Sequence, residues 1–79
     1  MKARVKVMLK EGVLDPQGEA VKHALNSLKY NKVESVRQGK LIEINLNETS
    51  EIRAKKSIQE MCEKLLANTV IESYEIEII

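Results

Sequence analysis

The hydrophobic period of this chain switches from two to 3.6 and back again at defined points, and that switching constrains the fold more than any other feature. Residues 3–10 set Ala3, Val5, Val7 and Leu9 on one face and Arg4, Lys6, Met8 and Lys10 on the other, as in a half-buried strand. Gly12-Val13-Leu14-Asp15-Pro16-Gln17-Gly18 follows. Asp15 can cap free helical N–H groups, and Pro16 at the first helical position loses no hydrogen bond. Val21, Ala24, Leu25 and Leu28 then recur at helical spacing, which predicts an amphipathic helix ending near Lys29. Val33 to Arg37 reads as a short second strand, and Gln38-Gly39 as the turn of a hairpin. Ile42, Ile44 and Leu46 supply the inward face of a third strand. The Asn47-Glu48-Thr49-Ser50 break precedes a second helix, about Ser50 to Ala67, burying Ala54, Ile58, Met61, Cys62 and Leu65. Tyr74, Ile76 and Ile78 point inward from a last strand.

The expected order is therefore βαββαβ. Two right-handed crossovers around a central hairpin give an α+β, ferredoxin-like fold: a four-stranded antiparallel sheet with two helices packed on one face. First and last strands are neighbours in that arrangement. Arg4 and Lys6 then face Glu75 and Glu77 across the open side, so charge pattern and hydrophobic pattern favour the same topology.

A chain of 79 residues makes one domain, residues 1–79, and buries only about 60–65% of its unfolded surface. That leaves one thin core and little room for a self-contained substrate pocket. Thirteen basic residues against 12 acidic leave a net charge of +1, too little field to recruit nucleic acid or an anionic membrane. The N-terminal segment alternates charged and apolar residues, unlike a signal peptide, and no stretch approaches the roughly 20 apolar residues that span a bilayer. A cytoplasmic location is the expectation.

Residues that could carry chemistry are few. His23 is the only histidine and Cys62 the only cysteine. His23 falls on the outer side of the first helix, Cys62 on the inward stripe of the second. Neither has the partner that a metal site or an activated thiol requires. The spacing of Gly12 and Gly18 matches neither common phosphate-loop pattern, and Asp15 would compete for the N–H groups an anion needs. RNA-binding modules of this fold stack bases on sheet aromatics, but Tyr30 and Tyr74 are the only aromatic residues. The open face instead mixes Met8, Leu41, Ile71 and Ile79 with charges, beside two unpaired edge strands. Both features favour association.

Three ordered blocks give the sequence a family likeness: Gly12 to Gly18 with Ala20-Val21 and Leu28-x-Tyr30; Val33 to Lys40 leading into Ile42-Glu43; and Leu65 to Tyr74. Almost end to end, the chain resembles the small-subunit family of phosphoribosylformylglycinamidine (FGAM) synthase, PurS. Thr69 stands where that family usually has proline, and Ser73 where aspartate is common. The resemblance implies a non-catalytic subunit of an ATP- and glutamine-dependent ligase complex of de novo purine synthesis. Its implied partners are a glutaminase subunit (PurQ type) and a large synthetase subunit (PurL type), with ammonia passing between them. It also implies self-association as a homodimer or tetramer. ATP, magnesium and glutamine would be used by the partner subunits, leaving no cofactor in this chain. Asp15, Gln17, Gly18, Arg37, Gly39 and Lys40 are the expected partner contacts, because both turns are polar, glycine-fixed and similar to the family. The alternative reading is a small-ligand regulatory domain of ACT type, which shares the element order. An acylphosphatase-like enzyme would need an arginine that the Gly12–Gly18 turn lacks.

Overall fold

The computed structural model describes all of residues 1–79. In chain order the elements are β1 (Lys2–Leu9), α1 (Pro16–Ser27), β2 (Gly39–Asn45), α2 (Glu51–Met61), a π-helical turn (Cys62–Leu66) and β3 (Glu72–Ile78). The sheet has three strands, all antiparallel, in the order β2-β1-β3. This is the ferredoxin-like order with one edge strand missing, so the expected four-stranded sheet is corrected to three.

Local chemistry explains the missing strand. Residues 33–38 have no strand partner. The Gln38 N–H is taken by the Asp15 carboxylate at 2.8 Å. The Arg37 guanidinium reaches the Leu9 carbonyl and the Glu11 carboxylate. These three bonds draw this segment onto the end of β1 and the start of α1. Gly39 forms no hairpin turn and opens β2 directly. Its glycine answers a steric demand, because a Cβ there would collide with the Met8 side chain and the Val7 carbonyl.

The core lies between one face of the sheet and α2. Ala3, Val5 and Val7 from β1 cluster with Ile58 of α2, with Cys62 of the π-helical turn and with Ala67 beyond it, all buried, as is Ala54 of α2, and Ile42, Ile44, Ile76 and Ile78 are partly buried around them. Helix α2 begins where Ser50 accepts the Arg53 N–H at 3.3 Å, and Glu48 holds the Thr49 and Ser50 N–H groups. Its inward stripe is as expected through Cys62 but not beyond. The π-turn inserts an extra residue, closed by Ala67 N–H donating to the Cys62 carbonyl at 3.1 Å. That shifts the helical phase, turning Leu65 outward to 83% exposure while Ala67 is buried.

Helix α1 departs most from expectation. The pair of helices packed on one face reduces to α2 alone, because α1 makes no extensive contact with the strands or with α2. Its apolar stripe is left largely uncovered, with Val21 and Leu28 exposed. The molecule is accordingly elongated, 49 × 24 × 14 Å, with a radius of gyration of 16.0 Å. A compact chain of this length would have about 12 Å. Three strands offer width for one helix, and the missing strand is the surface α1 would have covered.

Candidate functional site

The two segments singled out as partner contacts meet at one end of the sheet, at the root of α1. Asp15 is the hinge pin. Its Oδ1 accepts the Gly18 N–H at 2.9 Å, capping α1, while its Oδ2 accepts the Gln38 N–H across the gap. The Gly18 and Gln38 amides, in that order, hold the Asp15 carboxyl below the usual aspartate range, as expected for a carboxylate accepting several N–H bonds. Asp15 therefore occupies donors that an anion would otherwise use.

Gly18 is the one buried residue of α1. The Val36 carbonyl lies so close that a Cβ at this position would overlap it. The requirement for glycine here is contact between backbones. Arg37 is half exposed and forms an ion pair with Glu11 at 3.2 Å. Gln17 and Lys40 are exposed and line a shared groove of about 220 Å³ with Asp15, Gln38, Gly39 and Glu72. The expected residues gather around Asp15: Gln17, Gly39 and Lys40 share its groove, Gly18 donates to its carboxylate, and Arg37 lines an adjoining depression with it.

The alternation of β1 put Lys6, Met8 and Lys10 on the open side, yet their convergence with Arg37 and Lys40 was not anticipated. In the structure they line one depression of about 650 Å³. The Glu11 and Leu9 partners of Arg37 were missed too, because nothing in spacing announces a contact between residues 26 and 28 positions apart. The expected charge ladder is in register, Arg4 opposite Glu77 and Lys6 opposite Glu75. The ion pairs, however, go to Glu43 on β2, which takes Arg4 at 3.0 Å and Lys2 at 3.2 Å. Those two cations, Arg4 first, keep the Glu43 carboxyl below its ordinary range.

Cys62 is buried, and burial, with Glu63 beside it, pushes its thiol upward. That is opposite to the shift a nucleophilic cysteine needs. The Tyr74 hydroxyl donates to Glu63 at 2.9 Å, which raises its pKa. His23 is exposed on α1. No three His, Cys, Asp or Glu side chains converge as a metal-binding group, and no helix is long and apolar enough to cross a membrane.

Comparison with known proteins gives this surface a context. The family model described as PurS, phosphoribosylformylglycinamidine (FGAM) synthase, matches residues 2–79. The PurS subunit of Bacillus subtilis FGAM synthase is 56% identical over 77 residues, covering 98% of this chain and 90% of that protein. The crystal structure of Methanocaldococcus jannaschii PurS superimposes with a TM-score of 0.87 at 47% identity, over 96% of this chain and 92% of that one. A chain in the structure of PurLQS from Thermotoga maritima matches with a TM-score of 0.87 at 32% identity, over 96% and 93% of the two chains. Sequence and backbone agree over nearly the whole length, and the chain belongs to the PurS family of phosphoribosylformylglycinamidine synthase subunits.

Proposed function

We infer that this chain is the non-catalytic small subunit of an FGAM synthase, bridging a PurQ-type glutaminase and a PurL-type synthetase and assisting ammonia transfer between them. The observation that carries this reading is the convergence of the two family-like segments on one clamped surface at the root of an otherwise little-supported helix. Asp15, Gln17, Gly18, Arg37, Gly39 and Lys40 form the partner-facing surface. Ammonia moving between two active sites must be kept from water, and a bridging subunit contributes by fixing and sealing the junction. Rigid shape serves that task, and the Asp15 clamp supplies it. ATP, magnesium and glutamine are handled by the partner subunits in the cytoplasm.

Self-association belongs to the same reading. The uncovered stripe of α1 and the free edges of β2 and β3 leave apolar surface and unpaired backbone that a second copy can cover, giving a homodimer or tetramer. Sedimentation of the purified chain, with Leu28→Glu as the variant that breaks the stripe, measures this directly.

The decisive experiment is reconstitution of the synthase with and without this chain, following FGAM formation from glutamine and from added ammonia. Glutamine-dependent synthesis is expected to need the chain, while ammonia-dependent synthesis does not need the glutaminase. Equal glutamine-dependent rates with and without the chain would refute the bridging role.

A further inference from the structure

The open face of the sheet is electrostatically uneven. At one end the cations Lys2 and Arg4 are answered by Glu43. At the other, Lys6, Lys10, Arg37 and Lys40 surround Met8, with only Glu11 and Glu75 among them. Register explains the hollow. Met8 lies between Gly39 on β2 and Ser73 on β3, so the row flanking it is built from the smallest side chains. The result is a depression of about 650 Å³ with Met8 and Leu41 as apolar lining.

Two of its cations are already engaged. Arg37 is tied to Glu11 and Leu9, and the Lys10 ammonium donates to the Thr69 carbonyl at 2.8 Å. Lys6 and Lys40 are exposed and have no carboxylate at ion-pair distance. An apolar hollow rimmed by unanswered ammonium groups complements a ligand with carboxylates on an aliphatic body. A nucleotide fits less well. The Tyr74 hydroxyl is turned to Glu63 on the helical side, so no ring is offered for base stacking. The β1 backbone beneath is paired on both sides, so it offers no free N–H groups to phosphate.

Building on the synthase reading above, we propose that this depression docks an acidic, aliphatic segment of another subunit of the synthase. Carboxylates of that segment pair with Lys6 and Lys40, and an aliphatic side chain rests on Met8 and Leu41, where methionine's flexible thioether adapts to what it meets.

The test is calorimetric titration of this chain into the glutaminase and synthetase subunits together, at about 50 mM and about 300 mM salt. Wild type is expected to bind, more weakly at high salt. Lys6→Glu/Lys40→Glu is expected to weaken binding about tenfold or more. Lys6→Gln/Lys40→Gln should weaken it less and flatten the salt dependence. Lys56→Glu/Lys64→Glu, exposed on the opposite helical layer, should bind as wild type does. Circular dichroism verifies that each variant is folded. Wild-type affinity in both Lys6/Lys40 variants overturns the docking site while the synthase reading stands. Binding of ATP or ADP alone, lost in Lys6→Glu/Lys40→Glu, overturns it in favour of a nucleotide. Failure of wild type to bind the other subunits at either salt overturns the synthase reading and this proposal with it.

Discussion

Replacing Gly18 by alanine tests the geometry of the α1 root, because two effects of known size oppose each other there. In an unobstructed helix alanine is favoured over glycine by about 1 kcal/mol. At position 18 the added methyl would overlap the Val36 carbonyl and lie 2.7 Å from Asp15 Oδ2. The carboxylate can swing, at the cost of its bond to Gln38. The carbonyl is backbone and cannot yield without moving residues 35–38. Overpacking of this kind costs about 1–3 kcal/mol, which exceeds the helical gain. A net loss of about 1 kcal/mol is expected, or about 4–8 °C in a domain of this size. Urea and thermal unfolding at neutral pH measure the loss. Amide exchange at Gln38 reports the clamp itself, and should accelerate in the variant. If Gly18→Ala is instead more stable by about 1 kcal/mol, with Gln38 protection unchanged, the close backbone approach is not a constraint and the clamp has been misread.

Three further outcomes follow from the same structure. Asp15, Glu43 and Glu48 have carboxyl pKa values held below their ordinary ones by N–H and cationic partners. They therefore stabilise the fold above the ordinary carboxylate range and lose that contribution as pH falls through the lowered values. Thermal midpoints should fall steadily below about pH 4, and less steeply in Asp15→Asn. Thr69 occupies the second position of the Asn68–Ile71 turn, where Ile71 N–H donates to the Asn68 carbonyl at 3.1 Å. Proline suits that position, and the Thr69 N–H makes no bond it would remove, so Thr69→Pro should stabilise by about 0.4–1 kcal/mol in urea. Cys62 should resist aromatic disulfide reagents at pH 8 in the native protein and react at once in denaturant, as its burial and raised pKa require.

The sequence by itself determined whatever depends on neighbours along the chain. Asp15 and Pro16 announced the start of α1, and they cap it as the chemistry demands. Period-two patterns placed β1, β2 and β3, and the strand of charges on β1 found its register opposite Glu75 and Glu77. The sequence marked the six residues of the candidate surface as polar and glycine-containing breaks between elements, but Gly18 sits inside α1 and Gly39 opens β2, so only the structure shows that each glycine answers a close approach and not a turn. Tertiary structure alone decided the remainder. The Val33–Arg37 pattern is compatible with a strand, but a strand needs a partner. Here Asp15 and Arg37 spend their hydrogen bonds anchoring residues 37 and 38 to the end of β1. The stripe on α1 predicts burial, yet a three-stranded sheet already covered by α2 leaves it no surface. A π-turn moved Leu65 out and Ala67 in, because one added residue rotates everything after it. The depression around Met8 arises only where Gly39 and Ser73 are set beside it by strand register. Periodicity can say which face a residue takes, but whether that face is filled depends on what the rest of the chain brings to it.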